Sequence, residues 1–296
     1  MGIVASLVSS INEAPSPSAD STRRKLPSRE NEKENQPLCV KDPVMKHGQW
    51  TVVRLDGVKF SKLSKLFGVK THSGFSDAMR RAAEKFATKF GASFAYVQSD
   101  EVSLFFAPGR APKHAVKIDK ALTVMSSSLT FFFSQEIAEE IAKKINDPVS
   151  RLTQHQKADL KNFVPAFDAR LFYLSFDDAI DCLVSRQYQL FGNAVGGVAH
   201  DDKIPEKKLR NVHTRQRIEM LGNSLNRVPE GILNGYLVGH NKVSRTCINR
   251  HTNTESIVVR SITETKVCPL FDVEDGHFSH QVVCGQLRSL FNNIDI

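Results

Sequence analysis

Between Trp50 and Leu190 the hydrophobic pattern keeps changing period, and that succession constrains the fold more than any other feature of the chain. Trp50 to Leu55 is β-rich and mostly apolar, as an interior strand is. Phe75, Met79, Ala82, Phe86 and Phe90 then recur at helical spacing among Arg80, Arg81, Lys85 and Lys89, and Gly91 ends that helix. "SFAYVQSDEVSLFF" follows, two apolar strands pinched at Ser99-Asp100-Glu101, which predicts a tight hairpin. Ile118, Leu122, Met125, Leu129, Phe132, Ile137 and Ile141 trace a long buried helix, residues 146–162 form a polar connection, and "FDARLFYL" at 167–174 is a fourth strand. A helix from Phe176 to about Leu190 closes the series, its start marked by Asp177, Asp178 and Asp181.

The order strand, helix, hairpin, helix, strand predicts an α+β fold with a ferredoxin-like βαββαβ sheet and helices on one face. Beyond Gly192 the chain is basic and turn-rich, with a helix near 205–222 and short strands at "GYLVG" and "ESIVVRSIT". The expected organisation is a disordered N-terminal tail over 1–47, a catalytic unit over 48–195, and a C-terminal α/β extension over 196–296 packed on it. Many unrelated activities use such a sheet, so the fold alone implies none.

The tail is expected to be disordered because "APSPSADSTRRKLPSRENEKENQP" has too little apolar surface to offset the entropy of ordering. Its charges nearly cancel, so almost all of the net charge of +8 belongs to the remainder, which suits an anionic partner such as RNA. Five widely spaced cysteines without a CxxC argue against a disulfide framework and for a reducing compartment, so a cytoplasmic location is expected. "MGIVAS" has Gly2 and Ser6 in the register of an N-myristoylation site, but an ordinary frayed terminus has the same look, and Glu13 and Asp20 argue against a mitochondrial presequence. One acyl chain anchors weakly and no apolar run has membrane-spanning length, so no stable membrane association is expected.

Function is concentrated at the ends of two strands. In a βαββαβ sheet the first strand lies beside the hairpin, so Asp56 in "RLDGVKF" can face Asp100 at the hairpin tip. Two facing carboxylates repel unless a cation lies between them, and hard oxygen ligands suit Mg²⁺, which takes one or two carboxylates and leaves its other positions to water and phosphate. A pair of such ions serves phosphoryl or nucleotidyl transfer. Gly57 would let the amides of Val58, Lys59 and Phe60 turn toward a triphosphate while its own carbonyl reaches a metal. Asp-Gly is also a common turn and Ser-Asp-Glu a common hairpin tip; only their joint placement favours a metal site. Alternation aims Glu101 at the opposite face from Asp100.

With these residues in place the chain resembles the histidine-tRNA guanylyltransferase family and its 3′-to-5′ polymerase relatives. "VVRLDGVKF", Lys70, "YVQSDEVSLFF", "PAFDARLF" and "SRQYQLFGNAV" carry the resemblance in order over about residues 48–240. It implies a polymerase-like palm that uses ATP to activate the 5′-phosphate of tRNA or another structured RNA and then adds GTP or another nucleoside triphosphate there. It implies two Mg²⁺ ions on Asp56, Gly57 and Asp100 as catalytic and metal ligands, and a nucleotide site from Val58, Lys59, Phe60, Lys70, Ser99, Asn193 and Arg217. A homotetramer is also implied. Phe191 stands where the guanylyltransferases carry a histidine, Gln189 where an aspartate is usual, and Arg217 where a lysine is expected. The chain therefore looks like the polymerase-like branch, which repairs shortened 5′ ends opposite a template. The alternatives are guanylate addition to histidine tRNA, an RNA-binding paralogue without catalysis, and a nucleotide cyclase using the same carboxylates. Cys268, His277, His280 and Cys284 lie close enough in sequence to suggest a zinc site, against core cysteines and surface histidines as the plainer reading.

Overall fold

A computed structural model describes residues 48–67, 73–112, 117–148, 150, 152–209, 212, 214–248, 254–269, 271 and 279–291. The expected tail over 1–47, and with it the Gly2 pattern, lies outside the described residues. In chain order the elements are β1 (Trp50–Gly57), α1 (Ser61–Phe67), α2 (Ser73–Phe90), β2 (Phe94–Gln98), β3 (Glu101–Phe106), α3 (Ile118–Asn146), α4 (Gln154–Lys161), β4 (Phe167–Leu174) and α5 (Phe176–Asp201). There follow α6 (Glu206–Leu209), α7 (Thr214–Leu221), a 3-10 turn (Gly222–Arg227), α8 (Glu230–Asn234), β5 (Tyr236–Ile248), β6 (Glu255–Val267) and α9 (His280–Leu290).

The six strands form one antiparallel sheet in the order β4-β1-β3-β2-β5-β6. Its first four strands have the order expected of βαββαβ. The C-terminal strands extend the same sheet, because Ala95, Tyr96 and Val97 of β2 pair with Val238, Leu237 and Tyr236 of β5.

Helices cover both faces rather than the one expected. On one face Val53, Leu55, Ala95, Val97, Val102 and Leu104 pack against Phe75, Met79 and Phe86 of α2 and Met125, Leu129 and Phe133 of α3. On the other, Trp50, Val52, Phe94, Tyr96 and Phe105 meet Ile180, Leu183 and Val184 of α5 and Val283 and Leu287 of α9. Strands β2 and β3 are buried at every position, as coverage of two faces requires, and their buried polar groups Gln98, Glu101 and Ser103 hydrogen-bond one another or Arg186.

Two further elements depart from expectation. The connection over 146–162 contains α4, begun by a capping box in which Thr153 Oγ1 accepts from the Gln156 amide and Gln156 Oε1 accepts from the Thr153 amide. And α5 runs to Asp201, past Gly192, Gly196 and Gly197, through the expected boundary at 195. Its extension holds because Phe191, Ala194, Val195, Val198 and Ala199 bury against Ile218 and Leu221 of α7, Leu225, and Ile232 and Leu233 of α8. That third cluster outweighs the cost of about 1 kcal/mol for each glycine in a helix. The helix expected near 205–222 is two short ones, α6 and α7, and the strands expected to be short are 13 residues each.

Candidate active site at the rim of the sheet

Strand β1 ends at the rim where the β2–β3 hairpin turns. Asp56 stands in register with Glu101 on one side and with Asp168 of β4 on the other. The Gly57 amide donates to the Asp100 carbonyl at 3.0 Å, which ties the end of β1 to the hairpin tip. Asp56 and Asp100 therefore share one rim, Asp56 exposed and Asp100 partly covered. Ser99, at the tip, holds φ of 47°, a backbone conformation that costs a non-glycine residue and concentrates at functional turns.

Gly57 acts differently from the expectation. Its φ is not positive; the left-handed residue of the turn is Lys59, at φ 61°. Glycine is required at 57 by close approach, because a Cβ there would meet the Phe60 ring at 2.6 Å. That ring is buried among Phe75, Phe133, Phe163 and Phe167, with centroids 5.0–6.2 Å away, so it cannot yield. Of the three amides expected to face phosphate, that of Val58 donates to the Ala166 carbonyl at 2.9 Å and belongs to the fold. Those of Lys59 and Phe60 have no acceptor among the described residues and can serve an anion.

Burial raises the Asp100 carboxyl above the usual range; hydrogen bonds from its own backbone and from Ser99 oppose this, and the neighbouring Asp56 charge adds to it. A cation at the rim would relieve this. The donors on offer, two carboxylates and backbone carbonyls, are all hard oxygens, a set that fits Mg²⁺. Among the described residues no group of three or more His, Cys, Asp or Glu stands ready to hold a metal by itself, so water and substrate oxygens would complete the shell.

Glu101 points to the opposite face from Asp100, as alternation required, and stands on the same face as Asp56, its partner in the register. It is buried at 5% exposure and takes Arg186 of α5 onto both carboxylate oxygens, Nε on Oε1 at 2.9 Å and Nη2 on Oε2. Burial pushes its carboxyl up while the Arg186 charge and hydrogen bonds pull it down. Arg186, Gln189, Asn193 and Gly196 fall on one stripe of α5 by their three- and four-residue spacing. Asn193 is exposed on that stripe, about 10 Å along the axis from Arg186 at the helical rise. The Arg217 guanidinium sits beside Gly196, 3.6 Å from where a Cβ would be. Its Nε and Nη2 donate to the Val212 and Leu209 carbonyls at 3.0 Å, so much of its capacity holds the α6–α7 connection. Lys70 lies outside the described residues. Asp56, Gly57, Lys59, Phe60, Ser99 and Asp100 are thus brought together, with Asn193 further along α5 and Arg217 of α7 beside Gly196.

Among the described residues the suggested zinc set forms no group of three or more metal-binding side chains. Cys268 and Cys284 are buried in the second core cluster, His280 faces Asp181 at 2.9 Å, and His277 lies outside the described residues.

Residues that sequence reasoning missed surround the rim. Arg54 lies 5.2 Å from the Phe172 ring centroid, and Arg170 reaches Asp168 at 3.1 Å, offsetting the like charge that Asp168 sets opposite Asp56. Gln187 is fully buried and donates to the Asn234 and Pro269 carbonyls while accepting from the Phe271 amide, so it stitches α5 to the segment after β6. The Arg-Gln pair in "SRQYQLFGN" was the available signal, since its first residue serves the rim and its second the scaffold.

Residues 33–175 match the model of the family described as Thg1, tRNAHis guanylyltransferase. An uncharacterized protein of Acanthamoeba polyphaga mimivirus is 28% identical over 191 residues, 59% of this chain. The match spans 63% of that relative's length. Among solved structures, a bacterial tRNA(His) guanylyltransferase (Thg1)-like protein in complex with ATP superposes with a TM-score of 0.56 at 17% identity, over 77% of this chain and 88% of that one. The tRNA(His) guanylyltransferase of Saccharomyces cerevisiae gives 0.54 at 20%, over 75% and 93%. At these identities the likeness is one of fold.

Proposed function

We propose, from the premise that residues 33–175 carry the tRNAHis guanylyltransferase family pattern, that this chain is a divergent nucleotidyltransferase of that family acting on the 5′ end of tRNA or a similar structured RNA. The observation that carries the reading is the meeting of Asp56 and Asp100 at one rim through the Gly57–Asp100 backbone bond. Oxygen ligands beside free amides are what a nucleoside triphosphate and its metal ions require. Two Mg²⁺ ions held there by Asp56, Asp100 and the Gly57 carbonyl would stabilise the entering and leaving oxygens of in-line displacement.

The residues of the chain supply positioning. The amides of Lys59 and Phe60 hold triphosphate oxygens, and the buried Phe60 ring keeps that turn rigid. Ser99 hydrogen-bonds the Asp100 carboxylate and so sets its direction. Two displacements at phosphorus follow from the family's chemistry. The RNA 5′-phosphate attacks the α-phosphorus of ATP and pyrophosphate leaves; the 3′-hydroxyl of the incoming nucleotide then attacks the activated 5′-phosphorus and AMP leaves.

Template-dependent repair is favoured over untemplated guanylate addition by Phe191. Where the guanylyltransferases carry an imidazole, this side chain is 2% exposed within the third core cluster and offers no polar group. The test is incubation with Mg²⁺, ATP, labelled nucleotides and a tRNA lacking its first nucleotide, with matched or altered 3′-side templates. Extension dictated by the template supports the reading. Guanylate added whatever the template overturns the assignment to the repair branch, and an inactive protein that still binds the tRNA overturns the enzyme.

A further inference from the structure

Glu101 presents a contradiction in the site. It stands directly opposite Asp56 in the β1–β3 register, follows Asp100 in the chain, and carries the charge of a third metal ligand. Its oxygens are nevertheless occupied. Arg186 takes both, and Gln98 Nε2 at 3.2 Å and Ser103 Oγ at 3.3 Å also reach Oε1. The pair is enclosed, with side-chain exposures of 21% for Arg186 and 6% for Glu101, and Gln189 braces the guanidinium from the next turn of α5.

We infer that Arg186 is a positioning residue that keeps Glu101 out of the divalent-ion set, restricting that set to Asp56 and Asp100 and so keeping its charge low enough for the ions to exchange with each nucleotide. The inference rests on the proposed metal site. A carboxylate freed beside Asp56 would add charge and a ligand, and affinity for hard cations rises with carboxylate count. The bidentate fork matters because a guanidinium engages both oxygens at once, where an ammonium would leave one available.

Mn²⁺ binding to the full chain, followed by electron paramagnetic resonance, tests this without relying on activity. Wild type should bind Mn²⁺, and Asp56→Asn should abolish it; absence of Asp56-dependent binding overturns the metal site itself. Given that binding, Arg186→Gln should tighten Mn²⁺ on the order of tenfold. The double variant Arg186→Gln with Glu101→Gln should return to wild-type affinity, a rescue that a merely structural arginine would not give. Unchanged or weakened binding in folded Arg186→Gln overturns the inference. Should that variant fail to fold, Glu101→Gln alone decides: affinity kept within about twofold supports a carboxylate outside the set, and a loss of about tenfold places Glu101 among the ligands and overturns it.

Discussion

A Cβ on residue 57 would lie 2.6 Å from the ring of Phe60, three residues on, and this contact joins the candidate site to the hydrophobic core. The aromatic cluster fixes Phe60, Phe60 fixes the turn after β1, and the turn holds Asp56 beside Asp100. Gly57→Ala is expected to destabilise the protein by about 1–3 kcal/mol, the usual cost of overpacking. Thermal denaturation measures it, and Gly57→Ala combined with Phe60→Leu should lose less than the two single changes summed.

Asp100→Asn is expected to abolish nucleotidyl transfer while stabilising the metal-free fold by on the order of 1 kcal/mol, as neutralising a strained functional group does. The folded-state pKa of Asp100 is raised, by burial first and then by Asp56. A raised carboxyl binds its proton more tightly in the folded state, so its contribution to stability falls as pH rises from the unfolded toward the folded value. The variant's advantage should therefore be small below about pH 4 and open above it. Melting curves across pH should also show Mg²⁺ narrowing the gap, since the ion stabilises only the wild type.

Gln187→Leu removes the partner of the buried Phe271 amide and of the Asn234 and Pro269 carbonyls. A cost of about 2–3 kcal/mol is expected for the groups left unsatisfied, read from urea denaturation. Hydrogen exchange should quicken at Phe271 before the central strands.

Phe191→His places an imidazole in an apolar cluster with Val195, Ile218 and Leu221. The expected loss is about 2–4 kcal/mol, and guanylate addition should not appear in the RNA assay, because a packing position in this chain has no route to the reacting phosphate. Appearance of untemplated guanylate in this variant would place residue 191 in the catalytic machinery.

The strand order and the Asp56–Asp100 meeting were legible because they follow from local rules. Short β-rich apolar runs mark the strands, βαββαβ connectivity makes β1 and the hairpin neighbours, and both carboxylates sit at strand ends. The turn of Glu101 away from Asp100 followed from alternation, but its capture did not, since Arg186 lies 85 residues away. Coverage of both faces was signalled by the adjacent apolar residues Phe94-Ala95-Tyr96-Val97 of β2 and Leu104-Phe105-Phe106 of β3, which point to alternate faces. The length of α5 was hidden, because its glycines read as a break and the cluster that overrides them comes from α7 and α8.

The amino-acid order by itself determined which segments extend, which coil, and which acidic groups end the strands, because backbone sterics and hydrophobic period act over a few residues. Only tertiary packing decided that Gly57 yields space to an aromatic ring, that the Val58 amide is taken by Ala166, and that Arg186 closes over Glu101. Those outcomes depend on where distant side chains converge, and close packing leaves each of them a single arrangement.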